Sequence, residues 1–274
     1  ERIESVDDDP REIPVPDLGT LVHAALRGFA QDRALQSIAD AEILCRELTA
    51  RFDAAAREAF GTRPLPAVRL QLDVMRQRFA PFAAWQVAHA AEGWRIHGAE
   101  LKLPATFAIA PDGAAPMRIT GQIDRIDRHE SRKAWRIIDY KTGDAGSTPR
   151  ETHRRGKSGT GPWKDLQLPL YREGMRKSLI TAMAGSTIEL GYVRLPANPR
   201  AAGWCAADFS AEELAEAMEV ATGVVLAIRR GDFPLGDPLG WDDPYEDILQ
   251  TYVFGGDDRH RDEDGSITGN GGDA

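Results

Sequence analysis

The octapeptide "RIIDYKTG" at residues 136–143 decides how this chain reads. Three residues of strand character lead into an acid, an aromatic, a base and a turn, and on a strand positions i and i+2 point to the same side. Asp139 and Lys141 therefore share one face. Taken alone the pair has an ordinary explanation, a solvated strand edge or a cross-strand charge pair, so its meaning rests on the surroundings.

Just upstream, "MRITGQIDRIDRH" (117–129) and "KAWRIIDYKTG" (133–143) are two strands joined by the short turn "ESR". Antiparallel pairing through that turn can bring Asp124 beside Asp139, giving two carboxylates and one ammonium. Phosphodiester hydrolysis asks for such a group: it must hold a divalent cation, activate water and stabilise a charge-dense transition state. Mg²⁺ takes oxygen ligands in octahedral array, and acids on a desolvated face are costly without a counter-charge. Asp127 reads as a surface salt bridge with Arg125 or Arg128. It stays in reserve as an acid, because sequence does not settle the register.

The first third of the chain is helical. "PDLGTLVHAALRGFAQD" carries an apolar stripe of Leu18, Leu21, Val22, Ala25, Leu26 and Phe29, with Asp17 as N-cap. "ADAEILCRELTARFDAAAREAF" is a second helix stopped by "GTRPLP", and a third spans about 67–92 and ends at Gly93. From "GWRIHGAELKLPATFAI" the pattern turns to strands. After the hairpin, "DAGSTPRETHRRGKSGTGP" reads as a mobile loop and "WKDLQLPLYREGMRKSL" as a helix despite Pro169. "STIELGYVRLP" is a strand, and "SAEELAEAMEVATGVVLAIRRG" is an amphipathic helix capped by Ser210 with Glu213 three residues on. This order gives an α/β plan with a mixed sheet. A polar tail rich in Gly and Asp, 255–274, is expected to be disordered.

Composition bounds the function. With 274 residues, 42% hydrophobic and 28% charged, the chain has material for a core, and it has no apolar run near the roughly 20 residues of a membrane helix. "ERIESVDDDP" has no basic segment or apolar stretch, so it reads as the cut end of a domain from a larger polypeptide and not as a signal peptide. Cys45 and Cys205 stand far apart without a CxxC partner, which argues against a disulfide scaffold or a zinc ribbon and fits a reducing, cytoplasmic setting. The net charge of −9 discourages nonspecific attraction to nucleic acid. Residues 125–164 run the other way, with eleven Lys or Arg against five Asp or Glu. That window is either a solvated loop or a phosphate-facing surface, with Arg154, Arg155 and Lys157 as its candidate contacts.

"GQIDRID", then "IIDYKTG", then "QLPLY" resemble the PD-(D/E)XK nuclease superfamily in its RecB-like branch, and "LGTLVHAALRGF" resembles the helix that opens those domains. Four motifs in order are more specific than any one. The likeness runs from about Asp17 to Leu195, and its helical region with "GWRIHGAELKL" most resembles the C-terminal nuclease domain of AddB-type helicase-nuclease subunits. It implies a restriction-endonuclease-like fold, a mixed central sheet flanked by helices with an N-terminal helical region. In that reading 1–254 form the nuclease domain, with a helical region at 17–92 and the catalytic α/β core at 93–230. His23, Asp124, Asp139 and the backbone carbonyl of Tyr140 are then the metal ligands, with Lys141 the catalytic base-type residue. Gln167 steadies the site, and Tyr171, which shares its helix face, packs beside it or contacts nucleic acid. Glu100 is either a further acid near the site or, the preferred reading, a surface acid. Also implied are Mg²⁺, with Mn²⁺ as the alternative, single-stranded DNA as substrate, a helicase subunit or domain as partner, and a place in recombinational repair of double-strand breaks. Two distant cysteines do not supply the four that many relatives use for an iron-sulfur cluster, so a cluster-free subtype is implied.

Two rivals stand beside this reading. One is a DNA-binding module of the same fold that no longer cuts, although keeping His23, Asp124, Asp139 and Lys141 together speaks against it. The other is a calcium-binding tail, from "HRDEDGSI", in which His260, Asp262, Asp264, Gly265 and Ile267 fall on loop positions. His260 takes the place of the usual first Asp and Gly271 that of the closing acid, so the match reads as chance in an acidic tail.

Overall fold

Strand β5 (Ala134–Lys141) is buried along almost its whole length, the pattern of a strand covered on both faces. A computed structural model describes residues 12–143, 147–156 and 158–232. The chain divides into two units, Glu1–Arg229 and Arg230–Ala274, and the described part belongs almost wholly to the first. The segment read as a disordered tail, with "HRDEDGSI", lies outside the described residues. β5 pairs antiparallel with β4 (Gln122–His129), Arg125 opposite Ile138. It pairs parallel with β6 (Thr187–Arg194), Asp139 opposite Tyr192 and Lys141 opposite Arg194. With β1 (Arg95–Lys102) and β7 (Gly203–Ala206) outside, the order is β1-β4-β5-β6-β7. This is the mixed, helix-flanked sheet expected, with a fifth strand, β7, that the sequence reading missed.

The sheet separates two cores. On one side Ile138, Tyr140, Val193 and Leu195 pack with the N-terminal helices through Leu26, Phe29, Phe52, Phe79 and Phe82. Those helices are α1 (Val15–Gln31), α2 (Arg33–Gln36), α3 (Ala41–Phe60), α4 (Pro66–Gln77) and α5 (Phe79–Ala91). On the other side Trp135, Ile137, Leu190 and Tyr192 pack with Leu168, Tyr171 and Leu179, the last three from α7 (Gln167–Ala182) in the β5-to-β6 crossover. A two-stranded ribbon, β2 (Ala108–Ile109) with β3 (Met117–Arg118), packs with α8 (Ala211–Arg230) through Ile109, Ala221 and Val225.

Three local readings need correction. Asp17 is not the N-cap: α1 starts at Val15 with Pro14 at the N-cap and Pro16 in the first turn, where a proline's fixed φ and missing N–H are accommodated. The helix expected over 67–92 is two helices parted at Arg78. Pro81 is the cause, since its ring clashes with the carbonyl four residues back, at Gln77, where α4 stops. The segment read as a mobile loop holds a short helix, α6 (Pro149–His153), with a capping box between Thr148 and Glu151. Arg154 pairs with Trp163 across it as a β-bridge. Gly159, at φ 58°, sits where a Cβ would come within 2.4 Å of Arg150 Cγ, so only glycine fits there.

Candidate active site

The start of β4 and the end of β5 lie side by side at one end of the sheet, and α1 lays His23 against them. His23 Nδ1 is 3.6 Å from Asp124 Oδ1, and its ring stands edge-on to Tyr140 at 5.8 Å. The other oxygen of Asp124 accepts the Tyr140 N–H at 2.8 Å. In a strand the carbonyl of a residue faces the same neighbour as its N–H, so the Tyr140 carbonyl also looks toward β4. Asp139 is 5% exposed, with Lys141 Nζ 2.9 Å from its Oδ2. That contact is an ion pair off the hydrogen-bonding directions, and Oδ2 is buried without a hydrogen-bond partner. The structure thus brings His23, Asp124, Asp139, Tyr140 and Lys141 to one place.

Glu100 joins them, which corrects its reading as a surface acid. On β1 it falls between the pairs Ala99 with Arg125 and Leu101 with Ile123, across from Asp124, and it is half-buried. Its φ is 54°, a left-handed conformation rare for a residue with a Cβ and concentrated at functional sites. Gln122 donates to its carboxylate. The acids feel one another. Burial raises the Asp139 carboxyl above its ordinary value, against Lys141 and with help from Asp124. Glu100 is raised by burial and then by Asp124. Burial would lower His23, but attraction to Asp124, Asp139 and Glu100 raises it. The cluster carries more negative charge than its surroundings neutralise.

Residues around the cluster hold it in shape. The Tyr171 hydroxyl donates to the Gln122 carbonyl at 2.7 Å and accepts from Gln167 Nε2 at 3.2 Å. Both motif residues therefore brace the start of β4, and Tyr171 is only 9% exposed. Three supporting residues escaped the sequence reading. Arg78 donates to the carbonyls of Thr142 and Leu195, tying together the ends of β5 and β6. The Tyr192 ring lies 4.9 Å from Lys141 Nζ, and its hydroxyl meets His153 Nε2 at 2.9 Å. No motif marks them; they arise from strand register and helix approach.

The basic window is not the continuous surface expected. Arg125 is fully buried against Asp127. Arg136 is bonded to Glu189 and lies over the Trp94 and Trp204 rings at 4.0 and 4.7 Å. Arg154, expected to meet nucleic acid, is 6% exposed and held by Glu213 and Glu216. Arg155 is at the surface, and Lys157 lies outside the described residues. Arg150 joins Arg154 on Glu213 at 2.7 Å, so the segment is clamped to α8. Its hydrogen bonds from Arg150 hold the Glu213 carboxyl down at about 2, below the ordinary 4.5. A depressed carboxyl stabilises the folded state above its unfolded value and loses that contribution as pH falls through the folded one. The clamp is therefore expected to loosen between pH 4.5 and about 2, and Glu213→Gln to loosen it at neutral pH. Limited proteolysis within the α6 segment reads both, and equal resistance in wild type and variant would refute the clamp.

The donor set suits a hard divalent cation: carboxylates of Asp124, Asp139 and Glu100, one imidazole, and a carbonyl facing the same way. Asp139 Oδ2, buried and without a hydrogen-bond partner, has the Lys141 ammonium beside it. As they stand, no three His, Cys, Asp or Glu side chains among the described residues are drawn together tightly enough to hold an ion. Among the described residues no helix is long and apolar enough to cross a membrane. No curated protein matches the chain. The sequence profile of the PD-(D/E)XK nuclease superfamily matches residues 1–237. A profile spanning most of the chain, over a mixed sheet whose central strand ends in the acid and lysine of "IIDYKTG", is decisive: the chain belongs to the PD-(D/E)XK nuclease superfamily.

Proposed function

We propose that this chain is a divalent-metal-dependent deoxyribonuclease, with Mg²⁺ or Mn²⁺ held by His23, Asp124 and Asp139, aided by the Tyr140 carbonyl and Glu100. Members of the superfamily are generally nucleases and typically use such metals. The observation that carries the reading is the convergence of three acids, Asp124, Asp139 and Glu100, with His23 around a single ammonium, Lys141, which sits 2.9 Å from the buried Asp139 Oδ2. When bound, the ion supplies charge stabilisation at the phosphate and lowers the pKa of a bound water. Lys141, about two-fifths exposed, orients the attacking water and offsets charge on the phosphate. Gln167 and Tyr171 keep β4 in register with β5.

The finer assignment rests on the resemblance to AddB-type subunits of the RecB-like branch. In it a helicase partner delivers separated strands, single-stranded DNA is the substrate, and the cutting serves recombinational repair of double-strand breaks. The second reading is a DNA-binding module of the same fold that does not cut. Incubation of linear single-stranded DNA with the purified protein separates the two. Degradation with Mg²⁺ or Mn²⁺ that stops on adding chelator is the expected result. A protein that binds the same DNA yet leaves it intact with either ion supports the module.

A further inference from the structure

A cavity of about 350 Å³ adjoins the acid cluster through Lys141 and includes none of the metal-facing acids. Lys141, Lys164, Arg194, Thr152, Ser147 and Tyr192 line it. Its size is at the lower end of the roughly 300–1,000 Å³ range of small-ligand sites. Parallel register explains part of its chemistry, because Arg194 stands beside Lys141 on the neighbouring strand. Arg194 Nε is buried without a hydrogen-bond partner. Among the described residues no carboxylate pairs with Arg194 or Lys164. Glu151, the one acid among the described lining residues, is turned onto its own helix cap, accepting from Thr148 N at 2.8 Å and Thr148 Oγ1 at 2.9 Å. Asp165, next to Lys164, is taken up by the Gln167 N–H at 2.7 Å and by His153. Two cations with no carboxylate partner among the described residues, beside a third shared with Asp139 and next to two hydroxyls, describe a site for an anion.

No aromatic face is open to a base there: Tyr192 is 1% exposed and its ring lies under the Lys141 ammonium. We propose that this cavity is a phosphate subsite, in which Lys164 and Arg194 hold the phosphate of the nucleotide next to the scissile one. This deepens the nuclease reading and rests on it for the identity of the ligand. Contacts to phosphate position a strand and carry no sequence information, so the subsite makes recognition independent of base. The phosphate is either an internal diester or a terminal monoester at a strand end, which the cations bind by the same chemistry.

The test is binding in chelator, where no cleavage is needed. Short fluorescein-labelled oligothymidylates ending in 5′-phosphate, 3′-phosphate or hydroxyl are titrated by anisotropy at several salt concentrations. Lys164→Gln, at an exposed position, and Arg194→Gln are each expected to weaken binding several-fold. Each is also expected to reduce the slope of log K against log salt by roughly 0.7, the value for one single-strand phosphate contact. Arg194→Lys, which keeps the charge, restores most of the slope and guards against misfolding as the cause. Weakening confined to one phosphorylated end identifies a terminal monoester; equal weakening of all three identifies an internal diester. Unchanged affinity and slope in both Gln variants overturn the subsite, whether or not the wild type cuts. A wild type that shows the slope change yet never cleaves keeps the anion site and sinks the hydrolytic reading instead.

Discussion

Asp139→Ala is expected to abolish metal-dependent DNA degradation, and Lys141→Ala to lower it by roughly 10²–10⁴-fold, the range lost with a positioned proton-handling group. Both should lose activity, because the two side chains act side by side: Lys141 Nζ sits 2.9 Å from Asp139 Oδ2. Folding should respond in the opposite sense. Asp139 is nearly buried, its oxygen lacks a hydrogen-bond partner, and burial raises its carboxyl. An acid raised in the folded state costs stability wherever it is ionised in the unfolded one. In chelator, Asp139→Asn should therefore melt no lower than the wild type while losing activity. Parallel loss of activity and melting temperature would make Asp139 a structural residue and remove it from the site.

Asp127→Ala is expected to destabilise the protein by about 3–5 kcal/mol, the usual effect of breaking a buried ion pair on one side. Its carboxylate takes two hydrogen bonds from Arg125, at 2.6 and 2.7 Å, and a third from His89 at 2.7 Å. Both charges are fully hidden. His89 is stacked between Trp85 at 4.7 Å and Trp94 at 5.4 Å, and burial holds its imidazole below the ordinary value. The neutral ring then donates from Nε2 to Asp127 and accepts from Arg136 at Nδ1. Removing Asp127 strands the Arg125 guanidinium, whose remaining partners are Gln86 and Tyr140. At about 2–4 °C per kcal/mol for a domain of this size, melting should fall by on the order of 10 °C. Activity per folded molecule should survive well below the melting point, since no atom of Asp127 faces the metal-facing acids. A stable Asp127→Ala protein without activity would restore Asp127 as a ligand.

The convergence of Asp139 and Lys141 was legible because residues two apart on a strand share a side whatever the fold. Asp124, Asp139 and Lys141 needed only a hairpin, and His23 needed only its helix to approach. For Asp127 the pairing with Arg125 was legible and its burial was not. Alternation says which residues share a face, and it does not say what covers that face. In "QIDRIDRH" the side bearing Arg125 and Asp127 looks solvent-bound until α5 is laid over it with Gln86 and His89. Glu100 was hidden because its place across from Asp124 depends on a bulge between Ile96 and Gly98, which shifts register by one and leaves no mark in composition. The basic window failed on pairing: counting charges cannot reveal that Glu189, Glu213 and Glu216 fold back onto Arg136, Arg150 and Arg154.

β5 is paired along both edges and covered on both sides, so its amide protons belong to the last class to exchange, opening only with the whole domain. A site built this way does not loosen by degrees as it warms; carboxylate and ammonium keep their spacing until the fold gives way. Lys164 and Thr152 instead sit on the connection between strands, where length and composition can drift without disturbing that spacing. Grip on the substrate can thus change from one descendant to another while the hydrolytic geometry is inherited unaltered.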